Sequence, residues 1–477
     1  MFKVPEGYIL IKKEEYEGLK RTILEMSNMI EKLTRRIEEL ESQLSKNSSN
    51  SHKPPSSDGL KKKIKNNREK SGKQQGAQPG HKGTTLQFSE QPDETISCKV
   101  EGYCECGEDL RLIPAKGIER RQTIELPKKL IKITEFQIEV KECKCGRTHK
   151  GFCTQTYRIG YGKRFKSLMV YLNQYQFIPR ERLQELVRDY FGISISDGLL
   201  ESICNECYNQ LEATEVSIKE GLIQSLVNNF DETGIRNEGD TNWIHSCSNK
   251  QLTHYSISKK RGKEGIDEKG ILSEYKGVAV HDRWKSYDGY SCEHALCNAH
   301  LLRDLKFVYE ELDRQWAKEM INTLIFAKRK RDEENLTHDI IRFIEGQYNH
   351  IIDLGMQEEP VEQPSPVKKR GRKAKNKSLR LLEVFKERKI EILMFMYNMD
   401  VPFDNNLAER DLRMVKLKQK ISGCFRKRES ADVFCRIRSY ISTIRKQGYP
   451  VLEAISATLS GNPFQVFPVI YNPPAEL

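Results

Sequence analysis

The sequence predicts an α/β core interrupted by a helical insertion, preceded by a coiled-coil helix, a small cysteine-paired module and a helical region. Three observations carry that assignment. Apolar residues recur with a period of about 3.5 near the N-terminus, two Cys-x-Cys-Gly turns bracket a short alternating stretch, and beyond residue 225 short apolar strands give way to long amphipathic helices. At a prior of roughly 150 residues per domain, 477 residues suggest about three domains.

Composition narrows the class. The chain is 37% hydrophobic and 31% charged, and its 80 Lys and Arg exceed its 68 Asp and Glu. The basic excess is clustered, which implies a polyanionic partner, nucleic acid ahead of a membrane surface. No stretch approaches the roughly 18 apolar residues of a membrane span, and the opening Met1-Phe2-Lys3-Val4-Pro5 lacks a signal-peptide core. Thirteen cysteines in such a chain indicate reduced thiols or metal ligands rather than disulfides. The expected compartment is the cytoplasm.

The first element is expected over residues 1–46. Leu19, Ile23, Met26, Ile30, Leu33, Ile37, Leu40 and Leu44 alternate steps of four and three, with Glu, Lys and Arg between them. One amphipathic surface helix carries the same stripe, but the sustained heptad ahead of a linker favours pairing with a second copy of the chain. Residues 47–95 read as a basic, disordered linker. Positions 46–85 hold ten Lys and Arg against two acids, with Leu60 and Ile64 as the large aliphatics. Such a segment buries too little apolar area to offset its ordering entropy. It serves as a solvated tether, as an arm that tracks phosphates, or as both.

Residues 96–155 form the cysteine module, zinc-ribbon-like in outline. Cys104-Glu105-Cys106-Gly107 and Cys143-Lys144-Cys145-Gly146 enclose two stretches, 122–126 and 130–140, that alternate as strands do. A turn that aims two thiolates at one tetrahedral ion needs this chemistry, so structural Zn²⁺ on Cys104, Cys106, Cys143 and Cys145 is the candidate. The single intervening residue is tighter than the commoner spacing. Two reduced turns with incidental cysteines are the alternative, and Cys98, His149 or Cys153 could replace a ligand.

Residues 160–224 read as helices. A first helix through Arg180-Glu181-Arg182-Leu183 leads to Phe191-Gly192-Ile193-Ser194-Ile195-Ser196, where a capped second helix opens, the outline of a helix-turn-helix. A purely packing αα-hairpin has the same outline. Cys204 and Cys207 have no second pair nearby in sequence and are read as plain thiols.

Residues 225–312 are expected to begin the core. The run 226–230 leads into Asp231, short strands follow at 243–247 and 252–258, and 276–281 leads into Asp282. A strand at 293–298 then precedes a helix. Consecutive strands followed by strand–helix alternation, with acids at strand ends, resemble an RNase H-like sheet, and metals in open α/β sheets sit beyond strand C-termini. Residues 313–400 form the helical insertion, broken by a basic loop at 366–378 and resuming as a helix over 379–398. Arg370 and Arg372 lie in that loop as Arg-Gly-Arg, which suits an A·T-rich minor groove; an unspecific basic loop fits as well. Residues 401–447 close the core and 448–477 form a C-terminal tail.

The closing core segment carries Val401-Pro402-Phe403-Asp404-Asn405-Asn406-Leu407-Ala408-Glu409-Arg410. Asp404 or either asparagine could cap a helix here. On that helix Glu409, Arg413, Lys416 and Lys420 share one face, which suits a glutamate holding metal among residues that hold a DNA backbone. Two aspartates and a glutamate converging from distant segments are what a two-metal phosphoryl-transfer site needs, because Mg²⁺ prefers carboxylate oxygen. Each acid alone reads more plainly as a turn residue, a helix cap or half of an ion pair.

Taken together, the chain resembles the insertion sequence 66 family of bacterial DDE transposases over almost its whole length. The resemblance rests on the heptad helix, the linker Asn47-Ser48-Ser49-Asn50-Ser51-His52-Lys53-Pro54-Pro55-Ser56-Ser57-Asp58-Gly59, Gln78-Pro79-Gly80-His81-Lys82-Gly83 and the Cys pairs. It continues through Asp231-Glu232-Thr233, His281-Asp282-Arg283-Trp284, Cys297-Asn298-Ala299-His300-Leu301-Leu302-Arg303-Asp304, and Asn405 to Arg410 with Ser422-Gly423 beyond. The Cys pairs are tighter than the family's usual gap, which puts zinc rather than the family in question.

The resemblance implies that Asp231, Asp282 and Glu409 are the metal-binding triad of an RNase H-like core using Mg²⁺ or Mn²⁺. It implies cleavage of a phosphodiester at the element's end, then attack of the exposed 3′-OH on target DNA. His300 and Arg410 lie near the acids by motif and are candidates for positioning the scissile phosphate; a capping His and an ion-paired Arg are the plainer readings. Glu232 alternates to the other face of its strand and is not counted as a ligand. The implied partners are terminal-repeat and target DNA, a second copy of the chain, and accessory proteins of the same element. An inactive or domesticated relative that binds DNA without cutting it is the competing reading.

Overall fold

A computed structural model describes residues 11–44, 88–127, 129–154, 158–268, 270–359 and 376–467. It divides into two compact units, Met1–Asn67 with Ile159–Gln184 and Ile195–Leu477, and Arg68–Arg158 with Glu185–Ser194. Much of the linker at 47–95, including both of its motifs, and Arg370 and Arg372 lie outside the described residues.

The heptad segment forms one long helix, α1 (Lys13–Leu44), and Ser45, where its end was expected, lies outside the described residues. Its stripe residues Leu19, Ile23, Met26, Ile30, Leu33, Ile37 and Leu40 are all exposed, Ile30 by 62%.

The cysteine module holds one short hairpin, β1 (Val140–Glu142) with β2 (Thr148–Lys150), paired antiparallel through Lys141 and His149. The strands expected at 122–126 and across 130–139 do not form. The reason is packing: alternation yields a strand only when one face is covered, and Ile124, Leu126, Ile133 and Ile138 all stay exposed.

The helical region follows as α2 (Lys163–Val170), α3 (Arg180–Phe191), α4 (Asp197–Gln210) and α5 (Glu212–Ile223). Gly192 adopts φ +68°, a conformation few side-chain-bearing residues tolerate, directly after α3. Ser196 Oγ accepts from Leu199 N at 3.2 Å and caps α4 as the sequence indicated. Cys204 and Cys207 are buried.

The centre of the larger unit is a five-stranded mixed sheet. It comprises β3 (Val227–Asn237), β4 (Asp240–Ser248), β5 (Thr253–Ser258), β6 (Val278–His281) and β7 (Glu293–Leu296), in the order β5-β4-β3-β6-β7. β3, β4 and β5 form an antiparallel meander, while β6 runs parallel to both β3 and β7. Two short helices, α6 (Lys263–Asp267) and α7 (Ile271–Glu274), link β5 to β6. Gly277 lets β6 approach β3: a Cβ there would sit 2.4 Å from Leu226 O.

Among the described residues, five helices separate β7 from the final segment: α8 (Asn298–Leu312), α9 (Gln315–Asp332), α10 (His338–Glu358), α11 (Lys377–Glu387) and α12 (Lys389–Tyr397). The single helix expected over 379–398 is two, broken at Arg388, whose guanidinium turns to Asp288 and Glu391. The insertion is no appendage, because its Trp316, Leu382 and Phe395 join Leu301 of α8 and Val278, Val280 and Leu296 of the sheet in one apolar core. The last segment forms α13 (Asn406–Ser422), α14 (Arg428–Lys446) and α15 (Val451–Thr458). Leu412, Val415 and Phe434 from α13 and α14 pack on Ile235, Ile244 and Ile257 of the sheet. The expected tail thus opens with a helix that buries Val451 and Ile455. Among the described residues no helix is long and apolar enough to cross a membrane.

Candidate active site

Sheet register brings the two aspartates side by side. β3 pairs with β6 through Asn229 opposite Val280, and two further residues along each strand lie Asp231 and Asp282. Asp282 falls just past the end of β6, as expected. Asp231 does not end its strand, which continues to Asn237 because β4 pairs with it along that length. It lies instead beyond the end of the parallel ladder, in the gap that β6 leaves.

Glu409 arrives in the first turn of α13. Asp404 Oδ1 accepts from Asn406 N at 3.1 Å at the head of this helix, whereas Asn405, fully buried, makes no cap bond because its side chain is used elsewhere. Its Oδ1 accepts from Asn229 Nδ2, its Nδ2 donates to Phe230 O, both at 2.8 Å, and its backbone N–H donates to Cys297 Sγ at 3.1 Å. One asparagine therefore fixes the helix head to β3 and to the start of α8.

Electrostatics mark the three acids as a group. Burial first, then the negative charges of Glu232, Asp282 and Glu409, hold the Asp231 carboxyl well above the ordinary carboxylate range. Glu409 Oε1 is buried and accepts no hydrogen bond from a described residue, a costly state for a carboxylate oxygen. Crowded carboxylates with an orphaned oxygen fit a divalent cation. The loop after β6 is tied down locally: Asp282 Oδ1 accepts from Trp284 N at 3.0 Å, and Arg283 pairs with Asp304 of α8 at 3.0 Å.

Glu232 points to the opposite face, as alternation requires, and has a full set of partners. Arg261 donates to its Oε1 through Nε at 3.0 Å and Nη2 at 2.8 Å, and Tyr287 OH donates to its Oε2 at 2.6 Å. The Arg261 guanidinium lies over the rings of Trp243 and Trp284 at 4.9 and 4.2 Å. Tyr287 in turn stacks on His281 at 4.6 Å. Burial brings the His281 imidazole down to about 3, so it is neutral: Nδ1–H donates to Asp282 O, and Nε2 accepts from His294 Nδ1 at 3.0 Å. The network flanks Asp282 through His281 and Trp284, and its Arg261, Tyr287 and His294 are residues that sequence reasoning did not single out.

The remaining candidates separate. His300 Nε2 faces Glu409 Oε1 at 3.7 Å, half-buried. Arg413 lies 3.8 Å from Glu409 Oε2 and is exposed, as is Lys420. Lys416 Nζ donates to Gly234 O, so its ammonium anchors α13 on β3. Arg410 lines a cleft of about 430 Å³ with Lys250, Asp404 and Asn406. Cys104, Cys106, Cys143 and Cys145 form two alike turns, in which Gly107 N–H and Gly146 N–H bond back to Cys104 O and Cys143 O. The structure does not gather their four thiols: the cluster of metal-ligating atoms found among the described residues is Cys297, His300 and Glu409.

Comparison with known families fits this geometry. Residues 158–433, which include all three acids, match the family described as Transposase IS66 family. The chain belongs to that family. Residues 9–87 of this IS66-family protein match a family of unknown function (DUF6444). No curated protein matches the chain.

Proposed function

We propose that the chain cleaves DNA at the ends of an insertion element and joins the freed 3′-OH to target DNA, with Asp231, Asp282 and Glu409 as its metal-binding carboxylates. The observation that supports the reading is the β3–β6 register joined to the Asn405 latch, which ties to one another the elements that carry the three acids. The sheet order, with its antiparallel meander and two parallel strands, supports an RNase H-like core.

Mg²⁺ or Mn²⁺, when bound, would activate the attacking hydroxyl and neutralise charge on the phosphorane-like state. The protein's own part is positional. Asp231 would release its proton to solvent on becoming a ligand, and Glu409 would offer the oxygen that accepts no hydrogen bond. Arg410, Arg413 and Lys420 are exposed along α13 and would hold phosphates on either side of the scissile bond. Arg370 and Arg372 are proposed as minor-groove contacts, α1 as the pairing helix, and the two cysteine turns as a structural Zn²⁺ site that requires them to close on one ion.

The test is incubation of the full chain with labelled element ends and Mg²⁺ or Mn²⁺, reading 3′-OH nicks and strand transfer. Asp231→Ala, Asp282→Ala and Glu409→Gln are each expected to abolish nicking while end binding survives. Mg²⁺-dependent nicking retained in one of them removes that residue from the site. Binding by the parent chain without nicks favours the inactive relative.

A further inference from the structure

Cys297 and His300 lie at the start of α8, and Glu409 faces them from α13. One sulfur, one ring nitrogen and one carboxylate oxygen from the three lie within 4.8 Å of one another. Ligands on a single zinc-sized ion lie roughly 3.5 Å apart, so a small side-chain adjustment closes the set. Cys297 is 2% exposed, and its sulfur already faces the Asn405 N–H. Glu409 Oε1, 3.7 Å from His300 Nε2, is the orphaned oxygen of the site. A sulfur–nitrogen–oxygen set suits zinc-like ions, whereas Mg²⁺ takes oxygen ligands alone.

We propose that Cys297, His300 and Glu409 form a site for a thiophilic divalent ion such as Zn²⁺ or Cd²⁺, and that filling it withdraws Glu409 from the Mg²⁺-binding carboxylates. Binding converts the Cys297 thiol to thiolate, and its proton leaves to solvent. The site is thereby an inhibitory switch: the ion that suits it seizes a ligand the reaction needs. The inhibitory half rests on the proposed role of Glu409 in DNA cleavage. The binding half does not.

The full chain with Cys104, Cys106, Cys143 and Cys145 each replaced by Ser serves as parent, which removes the exposed paired thiols from the count. Bound Cd²⁺ is measured for this parent and for its Cys297→Ser and His300→Gln derivatives, with circular dichroism checking the fold. Each derivative is expected to bind one ion fewer, and with the same two substitutions in the otherwise unaltered chain the Zn²⁺ concentration that halves Mg²⁺-dependent nicking should rise at least about tenfold. Undiminished stoichiometry in either folded derivative overturns the site. If a derivative does not fold, cadmium NMR of the parent decides: one ion with a single sulfur among nitrogen and oxygen ligands supports the site, and its absence overturns it. Loss of one ion with unaltered Zn²⁺ inhibition overturns the withdrawal of Glu409. An unaltered chain that binds the ion but never nicks DNA is instead a failure of the cleavage reading.

Discussion

Asn229 Nδ2 donates to Asn405 Oδ1 at 2.8 Å across 176 positions of sequence, and Asn405 returns a bond to Phe230 O. Asn405→Ala leaves a buried donor and a buried carbonyl without partners, a loss of roughly 2–4 kcal/mol. Urea unfolding should register that loss, and nicking should fall further than stability does because the head of α13 is released. Full nicking by a folded Asn405→Ala protein would show that Glu409 is held in some other way.

Glu232 gives a different signature. Its removal frees Arg261 and Tyr287, and with them the stacks on Trp284 and His281 that flank Asp282. Glu232→Ala should raise the Mg²⁺ concentration for half-maximal nicking by about tenfold, and Glu232→Gln, which still accepts hydrogen bonds, should restore part of it. A changed melting temperature with an unchanged metal requirement would reduce Glu232 to a purely structural role.

Asp231 links metal binding to pH. Its folded carboxyl titrates well above its unfolded value, so the metal-free fold keeps this contribution at low pH and loses it as pH rises through the raised value. Metal binding requires the ionised form and releases the proton, so apparent Mg²⁺ affinity should increase with pH over that same interval. Calorimetry in buffers of different ionisation enthalpy measures the released proton, and none should be released at this step in Asp231→Asn.

Glu215 behaves in the opposite sense. Burial would raise it, but His254 at 3.1 Å and Arg436 at 2.6 Å bring it down to about 2. Its contribution is present above the ordinary glutamate value and lost as pH falls toward about 2. At neutral pH Glu215→Gln should cost about 3 kcal/mol, measured by denaturant titration, with the difference from the parent shrinking in acid.

The α1 stripe yields a test of assembly. Ile23→Lys with Ile30→Lys puts charge into the seam of a coiled coil, and sedimentation should show a lower mass than for the parent chain. Unaltered mass would assign self-association to another surface, or exclude it.

Much of the site was legible because its chemistry is local in sequence. An acid after an apolar run, and a glutamate heading a basic helical face, announce themselves within ten residues. Glu232 could be set aside by strand alternation alone. What sequence could not supply was pairing. Asp231 reads as a strand end because polar residues follow it, yet β4 extends the strand to Asn237. Asn405 reads as a cap because it precedes a helix, yet its amide spans to β3. The stretches 122–126 and 130–139 alternate correctly and still form no strands, since alternation describes a face without providing anything to cover it.

The helical stretch that runs from α8 through the insertion closes on itself where Asn298 N–H donates to Phe403 O at 3.1 Å. A loop pinned shut at its neck transmits no change of length to what lies outside. Residues can be gained or lost between its helices at the modest entropic cost of a longer closed loop, provided the helices that cover β6 and β7 remain. The number of residues between the second and third acids is therefore free to drift, while their separation in space is fixed by the neck and by Asn405.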